Sequence, residues 1–183
     1  MAIKKTSKEE ILLEAIKLFK TKGYYNTSMA DIGKACGLIK GSIYHHFKNK
    51  EEIGLEALKY IDEFFEKNIF IIKDENITTK EKLEKIVTKT DEYFLKSEGG
   101  CLFGNLASEV SRQNSEFKTI ITLYFKKWQD SIYQILNEKL DKDKANFFSY
   151  EYICALQGAI IMMNLTDNTS SYLEIGKKLK EKV

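Results

Sequence analysis

Apolar residues return every three or four positions over most of the chain, the period of a helix with one buried face. The first such stripe is Ile11, Ala15, Ile16 and Phe19. It follows Ser7-Lys8-Glu9-Glu10, a capping box in which the serine hydroxyl and the glutamate three residues on satisfy each other's backbone N–H groups. Gly23 is placed to end that helix in a left-handed conformation. Thr27-Ser28, with Asp31 three residues beyond, starts a short second helix over 29–36 that stops at Gly37. Residues 40–47 form a third. A fourth starts at Asn49-Lys50-Glu51-Glu52 and runs through Ile53, Leu58, Ile61 and Phe65 to about 72. Two short helices joined by a glycine turn and buttressed on both sides predict a helix-turn-helix.

The polar stretch 74–78 breaks the pattern, which resumes over 79–97 and breaks again at Glu98-Gly99-Gly100. Helices are then predicted at about 102–111, 115–140, 144–165 and 170–180. The segment around 153–163 is almost continuously apolar, so the helix carrying it is expected to be buried on most sides. No strand-like alternation of useful length occurs. The expectation is an all-α chain of about nine helices, with a helix-turn-helix head over residues 1–50 and a larger helical body over 51–183.

Composition narrows the function. Proline is absent, and 43% of the 183 residues are apolar against 31% charged, enough for a substantial helical core. No apolar run approaches the ~20 residues of a membrane span, and the first 22 residues lack the core of a signal peptide. The three cysteines, Cys36, Cys101 and Cys154, form no CxxC, which suits a reducing cytoplasm and excludes a zinc knuckle. Adjacent His45 and His46 point about 100° apart on a helix and cannot chelate one metal. With no HExxH, GxSxG or phosphate-cradling loop, neither an enzyme nor a metal or organic cofactor is expected. Net charge is only +2, yet residues 1–50 hold ten lysines against four acids, +6, leaving −4 for the rest. A basic head on an acidic body suggests a head that meets a polyanion.

Winding 39–47 at about 100° per residue puts Ile39, Ile43 and Phe47 in one sector, as a docking stripe. Gly41, Ser42, Tyr44 and His45 then face away, with Lys40 and His46 on the flanks. Such a surface approaches DNA closely: Gly41 holds nothing back, and Ser42 and His45 can bond base edges. Tyr44, Lys40, Thr27 and Ser28 suit phosphate oxygens, and so does Lys50 at a helix N-terminus.

The run Thr27-Ser28-Met29-Ala30-Asp31-Ile32-Gly33-Lys34-Ala35-Cys36-Gly37-Leu38-Ile39-Lys40-Gly41-Ser42-Ile43-Tyr44-His45-His46-Phe47-Lys48-Asn49-Lys50-Glu51-Glu52 resembles the N-terminal signature of TetR-family transcriptional regulators. The resemblance covers about residues 7–60. It implies a three-helix DNA head, a fourth helix leading into a ligand-binding body, and dimerisation through the last two long helices. It also implies phosphate contacts by Thr27, Ser28, Tyr44 and Lys50, close groove contacts by Lys40, Gly41 and Ser42, and groove and backbone contacts by His45 and His46. The partners so implied are a palindromic double-stranded operator, a second copy of the chain and a small-molecule effector. Two departures stand out. Ile39 replaces the usual hydroxyl-bearing cap, a loss of about 1 kcal/mol, and Gly33 replaces an alanine. Arg112 is the chain's one arginine, so bidentate Arg–guanine contacts from the head are excluded.

In the body, Gly99-Gly100-Cys101-Leu102-Phe103-Gly104-Asn105-Leu106 resembles a segment of one TetR subgroup at the start of the sixth helix, an element that commonly moves on ligand binding. Asn105 would be a polar anchor in an apolar pocket. Phe94, Cys101, Phe103, Tyr124, Trp128, Tyr152 and the methionines at 162 and 163 are candidates for its wall, with Gln157 and Glu109 as polar groups. Cys101 near a helix N-terminus could carry a stabilised thiolate and sense oxidants or electrophiles. A helical interaction module without DNA binding is the remaining alternative.

Overall fold

The computed structural model describes residues 7–38, 40–110 and 112–183, and among these the chain is helical with no strand. Helix α1, Lys8–Lys22, opens on the expected capping box: Glu10 N–H donates to Ser7 Oγ (3.1 Å) and Ser7 N–H to the Glu10 carboxylate (2.9 Å). It buries Ile11, Ala15 and Phe19. Helix α2, Met29–Ala35, has the second box, from Ser28 and Asp31. Gly37 follows at φ +69°, a turn that a side chain would strain.

Helix α3, Lys40–Ile43, is a single turn rather than the two predicted. Beyond it the backbone tightens, with His46 N–H donating to Ile43 O (2.9 Å) and Phe47 N–H to the same carbonyl (3.0 Å). Asn49 already caps α4, Lys50–Asn68, and Lys48 N–H turns to the Glu52 carboxylate (2.6 Å), so α3 has no room to extend. Ile39 and Ser111 lie outside the described residues.

Helix α4 ends earlier than its apolar pattern suggests. A 3-10 turn, Phe70–Asp74, follows and buries Phe70 and Ile72 while exposing Ile71. The body continues with α5 (Thr79–Phe94), α6 (Leu102–Glu109), α7 (Ser115–Leu136), α8 (Lys142–Thr166) and α9 (Ser170–Lys180). Its centre is aromatic. The Phe65 ring lies 4.9 Å from Tyr93, 5.3 Å from Trp128, 5.4 Å from Tyr124 and 5.6 Å from Phe70, spacings at which edge and face contacts are favourable.

Helix α8 corrects the expectation of burial on most sides. It packs on α7 and α9, burying Tyr152, Leu156 and Ile160, but Phe147, Tyr150, Ile161 and Leu165 on its other side are exposed. Helix α4 leads out of the head and crosses α7 in the body. A Cβ on Gly54 would stand 2.7 Å from the Phe117 ring, so the two helices approach only because this position has no side chain. The Tyr24 ring of the head packs edge-on against Phe117 at 5.5 Å.

Candidate nucleic-acid interface and body cavity

Ile43 and Phe47 are fully buried and anchor the recognition segment from beneath. Gly41 and His45 are exposed, Ser42 and His46 are half-buried, and the Tyr44 ring is 47% exposed. The outward set therefore consists of hydroxyls and imidazoles around a bare glycine, the surface read from the helical wheel. The side chain of Lys40 is outside the described part of the structure.

Three phosphate assignments need correction. Thr27 is 1% exposed and its hydroxyl donates to Gly23 O (2.7 Å), so it fastens the α1–α2 turn rather than facing outward. Ser28 remains exposed, but its hydroxyl and its N–H both bond the Asp31 carboxylate (2.6 and 2.8 Å), which makes it a cap. Lys50 points inward: its ammonium donates to Tyr24 O (2.7 Å) and lies 4.4 Å from the centre of the Tyr24 ring. Partial burial holds it below the usual lysine range, against the pull of Glu109. A capping hydroxyl and an inward lysine have the same sequence signature as phosphate donors, since both occur at helix N-termini.

The body carries a cavity of about 680 Å³ between α1, α6 and α8. Cys101, Asn105 and Gln157, all expected in a pocket, line it, together with Lys20, Phe125 and Ile160. Phe94, Phe103, Tyr124, Trp128 and Tyr152, expected in its wall, do not. They are buried in the core, where Phe103 stacks on Tyr124 with centroids 3.6 Å apart and Phe94 lies parallel to Trp128. Aromatics at helical spacing pack on each other before they line a void. Met162 is exposed and Met163 buried, neither in this cavity. Cys101 is buried as well, and burial pushes its thiol up, against the backbone N–H groups of Gly104 and Phe103 that stabilise the thiolate. The thiolate required for oxidant or electrophile sensing is thus disfavoured. Cys154 is exposed on α8.

Residues 11–57 match the family model of bacterial regulatory proteins of the tetR family. Residues 79–178, more than half of the chain, match that of the C-terminal domain of LmrA/YxaF-like transcriptional regulators. The chain belongs to the TetR family. It is 32% identical to the HTH-type transcriptional regulator YxaF of Bacillus subtilis (strain 168), over 91% of this chain and 89% of that one. It is 28% identical to the HTH-type transcriptional regulator LmrA of the same organism, over 92% of each. A crystal structure of a TetR transcriptional regulator from Legionella pneumophila shares the fold with a TM-score of 0.88 over 100% of both chains, at 21% identity.

In this TetR-family regulator, α6 is tied to the head by directional bonds. The Glu109 carboxylate at its C-terminal end faces the head rather than a pocket and accepts from Tyr24 N–H (3.2 Å) and Tyr25 N–H (3.1 Å). The Asn105 amide donates to Lys20 O (3.3 Å) and Gly99 O (2.9 Å). The Tyr25 hydroxyl donates to Gln113, and Asn114 donates to Glu51. A Cβ on Gly99 would stand 2.6 Å from Lys20 O, so the glycine lets the α5–α6 loop sit against α1. No sequence spacing announces Glu109, because its partners are 84 and 85 residues away. Lys48, exposed directly after the buried Phe47, is a cation that the motif reading also passed over; its position beside an anchor residue was the available signal.

Proposed function

We propose that this TetR-family regulator is a repressor that binds a palindromic operator as a homodimer and is released when a small molecule fills the cavity between α1, α6 and α8. The observation that carries DNA reading is the division of the recognition segment, with Ile43 and Phe47 inside and Ser42, Tyr44 and His45 outside. In this reading Ser42 and His45 contact base edges beside Gly41, while Tyr44, His46, Lys40 and Lys48 meet the backbone. The excess of lysine in the head supplies sequence-independent affinity. Dimerisation is supported by α8, whose exposed Phe147, Tyr150, Ile161 and Leu165 form one apolar face at three- and four-residue spacing along the helix. Two heads would then address successive major grooves about 34–36 Å apart. Release is supported by the cavity's position, with Lys20 in α1 and Asn105 in α6 both in its wall.

The test is a selection of bound sites from random duplexes with the full chain, followed by gel shifts. Tyr44→Ala should weaken binding to every sequence about tenfold, whereas Ser42→Ala and His45→Ala should change which bases are preferred. Identical site preferences and affinities in all three variants would contradict the assignment, and so would a selected site lacking two-fold symmetry.

A further inference from the structure

The polar groups around the cavity are one ammonium, three amides, a hydroxyl and a thiol. Of its lining residues only Lys20 carries a formal charge. Lys20 sits near the end of α1 and is 8% exposed. Its ammonium donates to the Ser97 hydroxyl and lies 5.7 Å from the centre of the Tyr93 ring. Among the described residues no carboxylate forms an ion pair with it; the Cys101 sulfur and, after it, Glu98 in the loop after α5 act to keep it charged. Burying an ammonium without a paired anion is costly, and burial accordingly holds Lys20 below the usual lysine range.

Gln157 adds a second donor. Its Nε2 is buried with no oxygen or nitrogen acceptor among the described residues; the group it approaches is the Cys101 sulfur, a weak acceptor. The nitrogens of the other two amides in the wall are engaged: Asn105 with Lys20 O and Gly99 O, and Asn164 with Ile160 O (3.0 Å). The remaining wall is largely apolar, through Phe125, Ile160, Ile161 and Leu165. A ligand that answers this set has an oxyanion on an apolar body.

We propose that the cavity takes a small organic carboxylate, its oxyanion facing Lys20 and Gln157 and its apolar body against Phe125 and Ile160. The proposal rests on the reading of this cavity as the effector site. It adds the ligand's charge and the residue that recognises it. Because Lys20 belongs to α1, the first helix of the head, an anion held there acts on the head without an intervening relay.

Isothermal titration of the full chain with 2-naphthoate, 2-naphthamide and 2-naphthylmethylammonium separates charge from shape. The naphthoate should bind at least tenfold tighter than the amide, the discrimination expected of a hydrogen bond to a charged group, and the ammonium should give no heat. Lys20→Met should bring the naphthoate to the level of the amide, while Lys20→Arg keeps the preference. Gln157→Leu should weaken the naphthoate several-fold. If Lys20→Met fails to fold, Lys20→Arg and Gln157→Leu carry the test. Equal affinities for the three probes, no binding of the naphthoate, or an undiminished preference in folded Lys20→Met would overturn the proposal. Gel shifts without any probe examine the regulator reading separately. Operator binding combined with charge-blind titrations would sink the carboxylate and leave the regulator standing.

Discussion

The recognition segment hangs on two buried side chains, Ile43 and Phe47, and on a single turn of α-helix. Phe65 in the body is equally buried, but four aromatic rings surround it within 5.6 Å. Local rigidity in this molecule therefore belongs to the body, and the head keeps its polar side chains outward on a lightly anchored backbone. The two regions are joined by directional contacts, among them the Glu109 carboxylate on the Tyr24–Tyr25 turn, the Asn105 amide on α1, and Tyr24 against Phe117. A joint of that kind can change geometry without either core being rebuilt, which a two-state regulator requires.

The comparison breaks most sharply with paired truncations. Phe65→Ala should lower stability by about 3–5 kcal/mol, since the hole lies among rings that cannot all collapse into it. Urea denaturation measures the loss. Phe47→Ala should remove operator retention while the near-ultraviolet dichroism of the buried Trp128 survives. If Phe47→Ala also erases that signal, head and body are one cooperative core and the contrast fails.

Gly99→Ala comes next. Gly99 has φ +75°, and an added Cβ would press on the Lys20 carbonyl, a backbone atom that cannot step aside. The expected cost is about 2–3 kcal/mol, from the disfavoured backbone conformation together with the contact. A lowered urea midpoint with unchanged slope is the expected readout. An unchanged midpoint would show that the seam between the α5–α6 loop and α1 is looser than the geometry indicates.

Glu109→Ala is smaller and more specific. It leaves the Tyr24 and Tyr25 N–H groups without their acceptor, at about 1–2 kcal/mol. Operator binding without effector should persist, and its loss on adding effector should be blunted. Full effector response in the variant would remove Glu109 from the coupling between cavity and head.

Much of the scaffold was legible in the sequence because its signals are local. The capping boxes Ser7–Glu10 and Ser28–Asp31 each lie within four residues, and both form. The docking of Ile43 and Phe47 follows from helical spacing alone. The site was less legible where chemistry depends on distant partners. Lys50 has the sequence context of a phosphate donor, but Tyr24, 26 residues earlier, holds its ammonium. The body aromatics look like pocket walls one by one; only the packing of α5, α6 and α7 turns Phe94, Phe103, Tyr124 and Trp128 toward each other. The α8 face was misread because continuous apolarity does not distinguish a fully buried helix from one apolar on two sides with a single side covered.

The smallest expected effect concerns the head's own seating. The Asp31 carboxylate is held well below the usual carboxylate range, first by the Ser28 hydroxyl, then by Lys22 and the Ser28 N–H. A group depressed in the folded state stabilises above its unfolded pKa, about 3.9, and that stabilisation fades as pH falls toward the folded value. Wild type should therefore lose part of its stability between about pH 5 and pH 2, and Asp31→Asn should lose less over the same range, starting from a lower midpoint at neutral pH. Urea midpoints measured across that interval, with Glu81→Gln as a control for the matching body cap Thr78–Glu81, show where the acid sensitivity resides. Since α2 is only seven residues long, it depends on its cap more than the sixteen-residue α5 does. Equal flattening by the two substitutions would mean that the short head helix is no more dependent on its cap than the long body helix, and the contrast between a lightly held head and a firmly packed body would not extend to their helix ends.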